Sequence, residues 1–215
     1  MPTQVVRLLI EQGKTRTFAR ALDWPGWCRA AKTEELAIDA MHDYRERYSI
    51  VVRTSGLKSP SSGFDVVERV PGDAGTEFGA PHAIGAADRV ALDGADRAAW
   101  IALLGACWST FDAVAAASDE ELRKGARGGG RNRTKMVDHV FEAERAYAPK
   151  LGVRLAKATP GARASVAADR ATLIARLNDP EEASQTLWPL RYWIHRAAWH
   201  VLDHAWEMQD KQITT

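Results

Sequence analysis

Hydrophobic and polar positions change their period along this chain. Val5-Val6-Arg7-Leu8-Leu9-Ile10-Glu11 is β-branched and apolar, and Gln12-Gly13-Lys14 supplies a turn after it. Thr15-Arg16-Thr17-Phe18-Ala19-Arg20-Ala21-Leu22 then alternates, the pattern of a half-buried strand. Trp24-Pro25-Gly26-Trp27 puts Pro and Gly at the two central positions that favour a type II turn. Thr33 predicts an N-cap, with Glu34 and Glu35 in the positive first turn of a helix. Its apolar positions Leu36, Ala40, Met41, Tyr44 and Tyr48 keep helical spacing. Residues 54–63 are rich in Ser, Gly and Pro and read as a loop, and Phe64–Val70 reads as one more strand. Pro71–Gly85 has little periodicity and reads as a connection between two units.

Beyond residue 90 the strand signal vanishes. Alanine takes 26 of the last 125 positions against 11 of the first 90, and helical periodicity dominates. Asp93–Ala117 carries Trp100, Leu103, Leu104, Cys107, Trp108, Phe111 and Val114 along one side. A second segment begins near Asn132 with Met136, His139, Val140, Ala143 and Tyr147. A third follows Pro160 with Val166, Leu173, Ile174 and Leu177. The fourth runs from Leu187-Trp188-Pro189 to about Lys211. Breaks at Gly125–Gly130, Gly152 and Asn178-Asp179-Pro180 separate them. The expected fold is α+β: a small β-β-(β)-α-β domain with its connecting loop over 1–86, then a four-helix bundle over 87–215.

Charge narrows the function classes. With 29 basic and 28 acidic residues the chain carries +1, too little to expect nucleic-acid or anionic-membrane binding. No continuous apolar run approaches the roughly 20 residues that span a bilayer, and Met1–Arg7 does not read as a signal peptide. Cys28 and Cys107 form no CxxC pair, so a reduced, cytoplasmic protein is expected. Cys107, among Leu103, Leu104 and Trp108, reads as buried, and Cys28, beside the turn, as the more exposed.

The fourth helix holds the candidate chemistry. His200 and His204 stand one turn apart, roughly 40° round and about 6 Å along the axis, close enough to share a metal ion. The Glu of HExxH is missing, which removes the zinc-protease reading. His195 lies roughly 140° round from His200 and cannot easily join. The third ligand must come from another element, and His139, flanked by Val137, Val140 and Phe141, is the best candidate. Three imidazoles with an open position describe a catalytic site; the other reading is a set of hydrogen-bonded core histidines. Trp193, Trp199 and Trp206 make the surrounding wall apolar. Arg123–Arg133 puts five positive charges around a glycine run, read either as an anion clamp at a helix start or as a solvated loop, and it matches no GxGxxG or Walker A spacing.

Residues 93–211 resemble the DinB-like family of four-helix bundles through Met136-Val137-Asp138-His139-Val140-Phe141-Glu142 and Trp199-His200-Val201-Leu202-Asp203-His204-Ala205-Trp206-Glu207. The resemblance implies a metal triad of His139, His200 and His204. It also implies a divalent ion such as zinc or nickel, with water or a low-molecular-weight thiol in the open position. A thiol transferase, isomerase or hydrolase acting on a small electrophilic molecule is then expected, with that molecule or the thiol as its partner. Arg196 and Trp193 are the candidates for binding substrate, and Glu142 and Glu207 for supporting the ligating rings from one turn away. The N-terminal strand pair, Phe18–Cys28 and the helix start Thr33–Ala37 resemble HicB-like antitoxin domains, which implies the alternative of a non-catalytic protein that grips a protein partner. Eight tryptophans, four in or beside the last helix, predict aromatic surface left for a homodimer.

Overall fold

The computed structural model describes residues 5–60, 63–124, 130–155, 164–179 and 186–213. Strands β1 (Val6–Gln12), β2 (Thr17–Ala21), β3 (Cys28–Ala31) and β4 (Phe64–Pro71) form one mixed sheet in the order β3-β2-β1-β4. β1 and β2 pair antiparallel, as do β2 and β3, whereas β4 lies parallel to β1. A parallel neighbour requires a crossover, and helices α1 (Glu34–Asp43) and α2 (Arg45–Thr54) provide it. The expected turn is present: Trp27 N–H donates to the Trp24 carbonyl at 3.1 Å, and Gly26 takes φ +93°.

Two local expectations need correction. The single helix predicted from Thr33 through Tyr48 breaks at Tyr44, where ψ swings to 2°. α1 then buries Ala37 and Met41, α2 buries Tyr48, Val51 and Val52, and Leu36 is left 50% exposed. β2 is not half-buried; all five of its residues are buried. Arg20, on the polar phase of the pattern, meets Asp88 at 2.7 Å inside the protein, so both faces of the strand are covered.

The Gly- and Pro-rich stretch from Pro71 to Gly85 contains a short helix, α3 (Ala74–Phe78), capped reciprocally by Asp73 and Thr76. It is tied to β1 through Glu11, whose buried carboxylate accepts from the Thr76 hydroxyl and from the backbone N–H of His82 and Ala83. Glu68 and Asp88 take the next N–H groups, at Gly85, Ala86 and Ala87. Acidic side chains satisfy this backbone instead of a regular ladder, which is why no periodicity marks it.

Four longer helices follow close to their expected limits: α4 (Gly94–Ala117), α5 (Arg133–Tyr147), α6 (Ala164–Asn178) and α7 (Leu190–Asp210). Among the described residues α4 is long and apolar enough, by length and composition, to cross a membrane. No unbroken apolar run marks it in the sequence, because Gly105, Ser109, Thr110 and Asp112 interrupt the side chains without ending the helix. Trp100, Leu103, Leu104, Cys107, Trp108 and Phe111 of α4 are buried in the fold. Of the expected breaks, Gly152 takes a left-handed conformation after Leu151, and Gly125–Gly129 and Pro180 lie outside the described residues, as does Pro160 before the third segment.

α7 lies between the sheet unit and the other helices, and thirteen of its residues are buried. α4 and α5 pack on it, and α4 also meets α2 of the sheet unit. From the sheet unit, Phe18 meets Trp199, the Leu22 carbonyl meets His195, Arg29 pairs with Asp203 at 2.9 Å and Tyr44 meets Trp206 edge-on. Buried side chains run without a break from Leu8 and Ile10 of the sheet through Cys107 to Val201 and Leu202 of α7. Of the four tryptophans in or beside the last helix, Trp193, Trp199 and Trp206 are buried within the chain and Trp188 is half-buried. The architecture is mixed α+β, a four-stranded sheet with its helices followed by a helical region.

Candidate metal centre

Asn132 caps α5 by accepting from Lys135 N–H at 3.0 Å. Met136 and Val140 then turn inward, and His139 faces α7. The His139 ring lies 5.2 Å from that of His200 and 5.0 Å from that of His204, centroid to centroid, and the two α7 rings are 4.7 Å apart. One nitrogen from each ring lies within 4.8 Å of the others. A tetrahedral ion with bonds of about 2.0–2.1 Å sets its ligand nitrogens about 3.3 Å apart. Small ring rotations close that difference, so the three side chains fit a divalent ion.

The electrostatics suit ligation, which needs neutral imidazole. Burial, and then the neighbouring His204, hold His200 well below the ordinary histidine range, and it is only 7% exposed. His200 Nδ1 is buried and meets no protein partner among the described residues. Burial, then Arg131, also lowers His139. His204 Nδ1 meets Glu207 Oε2 at 2.9 Å, and the other Glu207 oxygen accepts from Lys211. The His204 hydrogen bond is the chief cause that brings the Glu207 carboxyl down to about 2, so it is ionised and fixes the ring's tautomer.

The remaining candidates divide. Glu142 stays exposed, and among the described residues it makes no hydrogen bond to His139; it reaches that ring through its charge alone. Trp193 is 1% exposed and donates its indole N–H to the Tyr147 carbonyl at 2.8 Å, so it fastens the end of α5 and does not face a ligand. Arg196 does lie beside the histidines. Its guanidinium stacks 4.8 Å from the Trp199 ring and 5.6 Å from that of Tyr147, and Nη1 donates to the Pro81 carbonyl at 3.2 Å. The Tyr147 ring is itself 5.9 Å from His200. Tyr147 shares the helical stripe of His139 in the sequence, but spacing alone does not mark it as a neighbour of the α7 histidines. His195 is on the far side as expected: buried, its Nε2 3.1 Å from the Leu22 carbonyl and its ring against Trp100.

Of the arginines flanking the glycine run, Arg123 is tied to the Asp210 carbonyl and Arg133 to the Ser118 carbonyl and Glu120, whereas Arg131 is exposed and bears on His139 through its charge. Gly125–Gly129 lie outside the described residues. Cys28, expected to be the more exposed thiol, is buried because it opens β3 beside Trp199; burial pushes both its thiol and that of Cys107 up, and neither is a nucleophile.

Comparison with family models, with curated proteins and with solved structures returns no match. The side-chain cluster is what bears on function.

Proposed function

We propose that the chain is a DinB-like protein whose helices α4–α7 form a four-helix bundle around a single divalent ion, zinc or nickel, held by His139, His200 and His204. The observation that carries this is the convergence of three imidazoles from two helices, with ligand nitrogens within 4.8 Å of one another. Such an ion lowers the pKa of a bound water or thiol and places it against an electrophile. The favoured reaction class is thiol transfer, isomerisation or hydrolysis on a small molecule, with a low-molecular-weight thiol as a candidate co-substrate. Glu207 holds the His204 ring in the tautomer that leaves Nε2 available. Trp199 and Tyr147 wall the His200 side with aromatic surface that keeps water out. The HicB-like unit supports the bundle in this reading, since its turn and strands are spent on α7. A cytoplasmic location completes the proposal.

Elemental analysis after metal-supplemented growth tests it. The parent should carry one equivalent of metal, and His200→Ala and His204→Ala none. His195→Gln should keep it, and Glu207→Gln should weaken retention about 10–100-fold. A metal-free parent, or equal content in every variant, overturns the centre.

A further inference from the structure

We infer that the metal centre acts on a small carboxylate, and that Arg196 is the group that binds it; this rests on the metal reading above. Three neutral imidazoles leave the charge of a divalent ion uncompensated. The acid at the cluster, Glu207, already serves His204 and Lys211. Arg196, one turn before His200, adds positive charge of its own.

Several enclosed arginines of this protein meet acids: Arg20 pairs with Asp88 at 2.7 Å, Arg29 with Asp203 at 2.9 Å and Arg170 with Glu144 at 3.0 Å. Arg97, which like Arg196 bonds a backbone carbonyl and keeps a buried Nε without a partner, lies away from the histidines and their aromatic wall. Among the described residues no carboxylate pairs with Arg196, although it is half-buried. Its hydrogen bond goes to a neutral carbonyl, that of Pro81, and its Nε is buried with no partner. Withdrawing a cation from water without a counter-ion is costly, so the site is built for a negative charge that arrives from outside.

Guanidinium geometry selects among anions. A planar fork of N–H donors matches a carboxylate, and the planar faces of Trp199 and Tyr147 hold that fork in one orientation. The same rings offer apolar surface to the body of the ligand and lower the local dielectric, which strengthens the ion pair. Tyr147 adjoins both Arg196 and His200, so a ligand held at the arginine sits beside the metal ligands. Arg196 is in this sense a substrate-binding residue, which sets the class of molecule that reaches the ion.

The test uses the full-length protein loaded with cobalt(II), whose visible absorption reports the coordination sphere without any turnover. Benzoate is the probe and benzamide its neutral counterpart. Benzoate should perturb the cobalt band saturably, and benzamide should not. Arg196→Gln should keep the band and the cobalt stoichiometry while weakening benzoate about tenfold or more; Arg196→Lys, which keeps the charge but not the fork, should fall between. An intact band with equal benzoate affinity in the parent and Arg196→Gln overturns the inference alone, as does benzamide binding as tightly as benzoate. No cobalt band in the parent overturns the metal centre and the inference with it.

Discussion

Replacing Gly26 by alanine probes how firmly the sheet unit is joined to the helical region. Gly26 holds the left-handed position of the Pro25-Gly26 turn at φ +93°. An added Cβ would lie 2.7 Å from Leu202 Cδ1, 3.2 Å from Cys107 Sγ and 3.3 Å from Ala198 Cβ. The turn is therefore pressed onto α4 and α7 with no room for a methyl group. The left-handed conformation costs a non-glycine residue about 1–2 kcal/mol, and overpacking about 1–3 kcal/mol. The stiffer unfolded chain returns about 0.4–1 kcal/mol, so the net loss should be about 1–5 kcal/mol. Gly56→Ala is the control. Its φ is +77°, but nothing lies within 4 Å of the new Cβ, so only the backbone term, about 1 kcal/mol, applies there. Urea unfolding followed by tryptophan fluorescence reads both, because Trp27 adjoins the turn and is fully buried. If Gly26→Ala loses no more stability than Gly56→Ala, the turn is not docked on the helices and the shared core is wrong.

Acid should weaken the fold through His195. Burial keeps its ring neutral in the folded protein, well below the ordinary range. As pH falls below the unfolded value of about 6.5, the unfolded chain gains a proton that the folded one refuses. Stability is therefore full above that pH and declines below it by up to about 1.4 kcal/mol per pH unit for this group. His195→Gln should flatten the decline by one proton in urea titrations across that range, and an unchanged slope would refute the assignment. Separately, Arg170→Met should cost about 3–5 kcal/mol by leaving the Glu144 carboxylate buried without its partner. Adding Glu144→Leu should recover most of that loss in the same assay, and strictly additive losses would show that the pair is not coupled.

Direction around a helix was legible from spacing, and depth was not. His200 and His204, one turn apart, fall on one face in any helix, and the structure places them together with His139. Trp193 is seven positions before His200 and so shares that face by angle, yet it sits two turns away where α5 ends and its indole reaches the Tyr147 carbonyl. The helix wheel carries no information about where a neighbouring helix stops. The same limit hid Glu11: alternation marks it as a polar position on β1, but its partners Thr76, His82 and Ala83 are supplied by a stretch without periodicity. α7 carries the point furthest. Its polar side chains Arg196, His200, Asp203, His204 and Glu207 fall on one side, within about 100° of arc, but spacing does not say which of them meet the sheet unit and which meet α5. His195 Nε2 and Asp203 are answered by Leu22 and Arg29 of the sheet unit, while His195 Nδ1, Arg196 Nε and His200 Nδ1 are all buried without a protein partner among the described residues. Buried polar groups are ordinarily satisfied, and of these three only His200 stands against two further imidazoles, His139 and His204, so it is that convergence which marks the place where an ion belongs.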